Sequence, residues 1–128
     1  MWHEGAVEGL QLKGCVVLVV EDEPLVSLNL VDVLSAAGAH VVCAKRADEA
    51  IQSVERFKVT AAVLDINLGD HDCTAICRYL GDRGIPFLFH TGYGAPLDGW
   101  SNVPVVRKPA TSVEMTAAVG RLCAAHAA

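Results

Sequence analysis

A chain of 128 residues has room for one hydrophobic core and not two, and 52% hydrophobic against 20% charged residues supplies the material to fill it. The 10 Lys and Arg against 15 Asp and Glu leave a net charge of -5, which argues against the clustered basic surface that nucleic-acid binding needs. No apolar run approaches the roughly 18 residues of a membrane span, and Met1-Trp2-His3-Glu4-Gly5 lacks the basic and apolar regions of a signal peptide, so a cytoplasmic protein is expected.

Residues 1–13 show no clear period and read as a lead-in to one domain over 14–124. Val16-Val17-Leu18-Val19-Val20 is an unbroken β-branched run, the pattern of a strand buried on both faces of a parallel sheet. Val26, Leu30, Val33, Leu34 and Ala37 then fall at helical spacing, with Gly38 as the stop. His40 to Ala44 reads as a second strand, and Ala50, Val54 and Phe57 mark one face of a second helix. Ala61-Ala62-Val63-Leu64 predicts a third strand that runs straight into Asp65. Ile76, Cys77 and Leu80 suggest a third helix, closed by Gly81 or Gly84. Pro86 to His90 and Val103 to Val106 give two more strands, and Ser112 to about Cys123 a last helix, with Ser112 and Thr111 competing for its N-cap. Strand and helix alternate, which calls for a parallel sheet with helices on both faces. Between Thr91 and Lys108, Gly92, Gly94, Pro96, Gly99 and Pro104 leave room for one short helical turn at most, so the fourth helix is expected to be shortened.

The 5 cysteines are odd in number and scattered, which suits small core residues in a reducing compartment. His71, Cys73 and Cys77 lack the second ligand pair of a structural zinc site.

In an open α/β sheet, ligands bind beyond the carboxyl ends of the strands, where strand order reverses. The residues ending these strands are Glu21-Asp22-Glu23, Asp65, Thr91 and, just past the fifth strand, Lys108. Any one of them alone is more often merely solvated; the ordered set at one sheet edge is hard to reach by accident. Carboxylates brought together repel one another, and a hard cation relieves the repulsion. Mg²⁺ suits the task because it takes few protein ligands and keeps positions for water and phosphate oxygens. A carboxylate beside such a cation can attack phosphorus and form an acyl phosphate, with a lysine and a hydroxyl stabilising the charge.

With those motifs in order, the chain from about Cys15 to Cys123 resembles the response-regulator receiver family of two-component signal transduction. Val19-Val20-Glu21-Asp22-Glu23-Pro24-Leu25 is similar to the family's acidic pair, and Val63-Leu64-Asp65-Ile66-Asn67 to its phosphoacceptor strand. Phe89-His90-Thr91-Gly92 resembles its switch hydroxyl followed by a small residue, and Arg107-Lys108-Pro109 its lysine before a cis-prone proline. The resemblance implies a flavodoxin-like, doubly wound, five-stranded parallel sheet of order 2-1-3-4-5. It further implies that Asp65 is phosphorylated and that Asp22, Asp65 and the backbone carbonyl of Asn67 bind Mg²⁺, with Glu21 acting mainly through water. Thr91 and Lys108 would engage the phosphate, and the phosphodonor would be a histidine kinase or phosphotransfer protein.

Two departures stand out. The loop after Asp65 runs Leu68-Gly69-Asp70-His71-Asp72-Cys73, where the family usually carries a proline and then a glycine. Val105 occupies the position, three before the lysine, of the family's usual aromatic switch residue, and Tyr93 is an alternative aromatic. The segments Asn67-Leu68-Gly69, Gly84-Ile85-Pro86-Phe87 and Thr91-Gly92-Tyr93-Gly94 are similar to receivers associated with α-proteobacterial sensor kinases.

The expected activity is self-directed phosphotransfer and dephosphorylation, not catalysis on another substrate. The setting is either a stand-alone regulator, monomeric or weakly dimeric, or the receiver of a hybrid kinase. Nothing after the last helix resembles an output domain, and neither nucleic acid nor membrane is an expected direct partner. A phosphate-independent binding module of receiver fold is the alternative. A phosphatase with an aspartyl nucleophile ranks last, because its second acid would stand where this chain has Asn67.

Overall fold

The computed structural model describes residues 11–66, 73–92 and 99–127. In chain order the elements are β1 (Val16–Val20), α1 (Pro24–Ala36), β2 (His40–Ala44), α2 (Ala47–Arg56), β3 (Ala61–Leu64), α3 (Cys73–Asp82), β4 (Phe87–Thr91), β5 (Val105–Arg107) and α4 (Ser112–Ala127). The strands form one sheet in the order β2-β1-β3-β4-β5, every neighbouring pair parallel. Strand order reverses between β1 and β3, which is where such a sheet opens a crevice at its carboxyl edge.

Successive strand side chains alternate between two cores. Val17, Val19, Ala61, Val63 and Leu88 pack with Leu30 and Leu34 of α1 and with Met115, Val119 and Leu122 of α4. Leu18, Val20, Ala62, Leu64, Phe87 and Phe89 pack on the opposite face with Ala50 of α2 and Ile76, Cys77 and Leu80 of α3. Burial on both faces explains why β1, β3 and β4 read as continuous apolar runs, while the edge strand β2 is only partly covered. Leu12, within the lead-in, is fully buried in the first core, and its N–H donates to the Ala37 carbonyl at 2.8 Å.

Helix ends follow local chemistry. Pro24 sits at the start of α1, where its missing N–H costs nothing. Gly38, at φ 102, ends α1 in a Schellman motif: its N–H donates to the Ser35 carbonyl and that of Ala39 to Leu34. Gly84, at φ 68, closes α3 in the same way, through Gly84 to Gly81 and Ile85 to Leu80. Of the two glycines the sequence offered as a stop, Gly84 performs it and Gly81 lies inside the helix. Thr111, not Ser112, caps α4: its Oγ1 accepts from the Glu114 N–H at 3.0 Å while the Glu114 carboxylate accepts from the Thr111 N–H at 2.9 Å. That helix runs to Ala127, one turn beyond the last periodic apolar residue. Among the described residues no helix lies between β4 and β5, and no helix is long and apolar enough to cross a membrane.

Candidate functional site

The carboxyl ends of β1, β3 and β4 bring Glu21, Asp65 and Thr91 together, all nearly inaccessible to water at 2%, 4% and 1% exposure. The backbone sets them in register: Glu21 N–H donates to the Ala44 carbonyl and Asp65 N–H to the Val20 carbonyl, both at 3.0 Å. Past β5, the Lys108 N–H donates to the Thr91 carbonyl at 2.8 Å, which ties the lysine to the end of β4. The Lys108-Pro109 bond is cis.

From there the Lys108 side chain reaches back across the sheet edge. Its ammonium donates to Glu21 Oε1 at 3.0 Å and to Asp65 Oδ2 at 3.2 Å. The other Glu21 oxygen accepts the Glu23 N–H at 3.1 Å. Asp22 is exposed, and carboxylate oxygens of Glu21, Asp22 and Asp65 all lie within 4.8 Å of one another. Glu23 does not join them; it is exposed at the N-cap of α1.

The electrostatics follow from burial and proximity. Burial pushes the Glu21 carboxyl above its ordinary value; the Asp65 charge acts in the same direction, against the Glu23 N–H and the Lys108 ammonium. Burial by itself lowers the Lys108 pKa, but its hydrogen bond to Glu21 and the charges of Asp65 and Glu21 outweigh that and hold it above the ordinary lysine value. Three carboxylates, the two of Glu21 and Asp65 buried and that of Asp22 exposed, against one ammonium leave an excess of negative charge. An all-oxygen donor set with that excess fits a hard divalent cation, and Mg²⁺ in particular when further positions are left to water or phosphate. Among the described residues this is the one group of three or more acidic, histidine or cysteine side chains close enough to share an ion.

The edge expected from sequence is therefore assembled: Glu21, Asp22, Asp65, Thr91 and Lys108 converge there. Asn67, His71, Asp72 and Tyr93 lie outside the described residues. Val105 is in β5, half-buried against the second core. Two residues the sequence reading passed over also matter. Trp100, ahead of β5, packs its ring 5.9 Å from that of Phe87, and a lone Trp in a glycine-rich stretch was the available signal. His90 is buried beside Thr91 with its Nδ1 lacking a hydrogen-bond partner among the described residues; a histidine ending an apolar strand could have drawn notice.

A five-stranded parallel sheet of order 2-1-3-4-5, with an acidic pocket and a lysine at its carboxyl edge, defines a flavodoxin-like receiver fold. Residues 17–99 match the family described as the response regulator receiver domain, and the chain belongs to that family of two-component signalling proteins. SdrG from Pseudomonas melonis Fr1, solved in a BeF3-activated conformation, is 31% identical, with 90% of this chain and 98% of that one covered and a TM-score of 0.74. The anti-anti-sigma factor PhyR from Bartonella quintana shares the fold at a TM-score of 0.77 and 24% identity, over 94% of this chain and 53% of that one. The sensor protein TorS of Escherichia coli (strain K12) is 28% identical over 89 residues, which are 69% of this chain and 10% of TorS. The chain thus spans about half of PhyR and a tenth of TorS.

Proposed function

We propose that the chain is a phosphorylation-dependent switch that takes a phosphoryl group onto Asp65 from the phosphohistidine of a histidine kinase or phosphotransfer protein, with Mg²⁺ bound. The observation that carries this reading is the Lys108 ammonium held between Asp65 and Glu21, with Asp22 within 4.8 Å. An Asp65 carboxylate oxygen forms the new bond to phosphorus as the phosphorus–nitrogen bond to the donor imidazole breaks; the imidazole takes up a proton and leaves. Asp22 and Asp65 would hold Mg²⁺, with Glu21 acting mainly through water and the carbonyl of Asn67, which lies outside the described residues, as the third ligand that the family resemblance implies; when bound, the ion would supply charge neutralisation for the phosphoryl oxygens. Lys108 moves its hydrogen bond from Asp65 to a phosphoryl oxygen, and the Thr91 hydroxyl donates to another. Attack by water on phosphorus later returns Asp65 and inorganic phosphate.

The working unit is the domain expected over 14–124 together with Leu12 of the lead-in, which packs into its core, in the cytoplasm, as a monomer or weak dimer. It serves as a stand-alone regulator or as the receiver of a hybrid kinase, and the likeness to a stretch of a sensor protein supports the latter. The test is intact mass after incubation with acetyl phosphate and Mg²⁺. A single phosphate adduct that needs Mg²⁺ and is missing in Asp65→Asn is expected; an adduct that persists in that variant refutes the assignment.

A second reading, a binding module that works without phosphate, draws on Leu25 and Leu28 of α1 and Val113 of α4, large apolar side chains exposed on helices that pack together. It gains if no adduct forms and no Mg²⁺ binds.

A further inference from the structure

A cleft of about 460 Å³ opens between α1 and the turn that leads from β5 into α4, on the sheet face opposite α2 and α3. Its volume falls within the range of small-molecule sites, roughly 300–1,000 Å³. Leu30, Val33 and Met115 make its walls largely apolar. His90 also lines it, standing on the face of β4 that Leu88 shares.

The histidine is what separates this cleft from an ordinary surface groove. The residue is 5% exposed, and its Nδ1 is buried without a hydrogen-bond partner among the described residues. An imidazole nitrogen in that position has given up water and received nothing from the fold in return. An apolar side chain would avoid the penalty, as Leu88 does two residues earlier in the same strand. A ligand in the cleft that carries a hydrogen-bonding group can relieve it, and rotation about the Cβ–Cγ bond can present either nitrogen edge of the ring.

The charge of the ligand follows from Lys108, which lines the same cleft. Its ammonium repels a cation, and it is already engaged by Glu21 and Asp65, whose carboxylates stand behind it and repel an anion. Burial, reinforced by the Lys108 charge, lowers the His90 pKa to about 4, so near neutral pH the ring is uncharged and offers one donor and one acceptor.

We propose that this cleft binds a small, uncharged, mostly apolar molecule through one hydroxyl or amide-type group that hydrogen-bonds the His90 imidazole. The site is distinct from the acidic pocket in its chemistry, and the inference does not depend on phosphorylation of Asp65.

The test uses 2-naphthol and naphthalene, which match in shape and differ in the hydroxyl, each titrated into the isotope-labelled full chain and followed by NMR. The expected result is that 2-naphthol shifts the methyl signals of Leu30, Val33 and Met115 and the ring nitrogens of His90. Naphthalene should bind at least about tenfold more weakly, the usual scale for one well-placed buried hydrogen bond. In His90→Leu the preference for 2-naphthol should fall below about twofold while naphthalene binding persists, and Val33→Trp should fill the cleft and abolish both. Equal affinity for the two probes in the native chain overturns the proposal without recourse to any variant. So does a preference that survives in His90→Leu, or the absence of these shifts with either probe. Shifts of the same methyls that follow protein concentration alone overturn it in favour of a second copy of the chain as occupant.

Discussion

Lys108 and Glu21 meet at 3.0 Å, ammonium against carboxylate, with the Glu21 side chain almost wholly withdrawn from water. The same ammonium is 3.2 Å from Asp65, so one residue past the last strand neutralises acids from the ends of the first and third. Removing one partner of a buried ion pair costs more than the pair contributes, because the other charge stays behind in a poor solvent. Lys108→Met should therefore destabilise the fold by on the order of 2 kcal/mol in EDTA, with partial recovery in excess Mg²⁺. Urea unfolding with and without Mg²⁺ reads both effects, and an unchanged midpoint in EDTA contradicts this account of the cluster.

Cation binding to the native acidic pocket should raise thermal stability by mass action. At a Mg²⁺ concentration about 100 times its dissociation constant the gain is ~2.7 kcal/mol. Asp22→Asn removes the exposed member of the group while leaving the Lys108 contacts in place, so it should remove most of the gain with little change in stability without Mg²⁺. A Mg²⁺-dependent rise in Tm that is the same in the variant would show that the ion binds elsewhere.

His90 gives the fold a pH dependence of predictable sign. Its pKa is held down from 6.5 to about 4 by burial first and by the Lys108 charge second, with Asp65 opposing them. The folded state therefore binds fewer protons than the unfolded chain between those values, and stability is present above pH 6.5 and lost as the pH falls toward 4. The full contribution is on the order of 3 kcal/mol. Glu21 has the opposite sign: its raised pKa makes stability fall as the pH rises past its ordinary value. Comparison of native chain with His90→Leu isolates the histidine. The variant should show a flatter stability profile between pH 6.5 and 4, and parallel profiles would contradict the shift.

Thiol reactivity should separate the cysteines. Cys43 is exposed, Cys15, Cys73 and Cys77 are buried, and Cys123 is intermediate. Burial, with the neighbouring Cys15 thiol adding to it, pushes the Cys123 pKa up to about 12, so its reactive thiolate is scarce at neutral pH. A disulfide reagent should therefore modify Cys43 rapidly and Cys123 at least tenfold more slowly, in line with the scarcity of thiolate at so high a pKa. Peptide mapping of the first modified product checks the order, and Cys123 appearing first would refute it.

What sequence alone determined was carried by short-range pattern. The apolar runs of β1, β3 and β4 announced strands buried on both faces because a parallel sheet covered by helices leaves no solvated side to demand polar residues. Gly38 announced the end of α1 because few other residues adopt a φ of 102. Strand-end positions of Glu21, Asp22, Asp65 and Thr91 were legible because alternation of strand and helix sends every strand the same way, so all its carboxyl ends share an edge. Tertiary structure decided what depends on distance between segments remote in sequence. The choice of Glu21 over Glu23 as the partner of Lys108, and of Gly84 over Gly81 as the stop of α3, rests on geometry that composition does not encode. So does the position of His90, whose environment comes from α1, the β5–α4 turn and Met115. In the strand itself it is one polar residue between Phe89 and Thr91; only the packing of helices on that face takes its water away and leaves a nitrogen without a partner among the described residues.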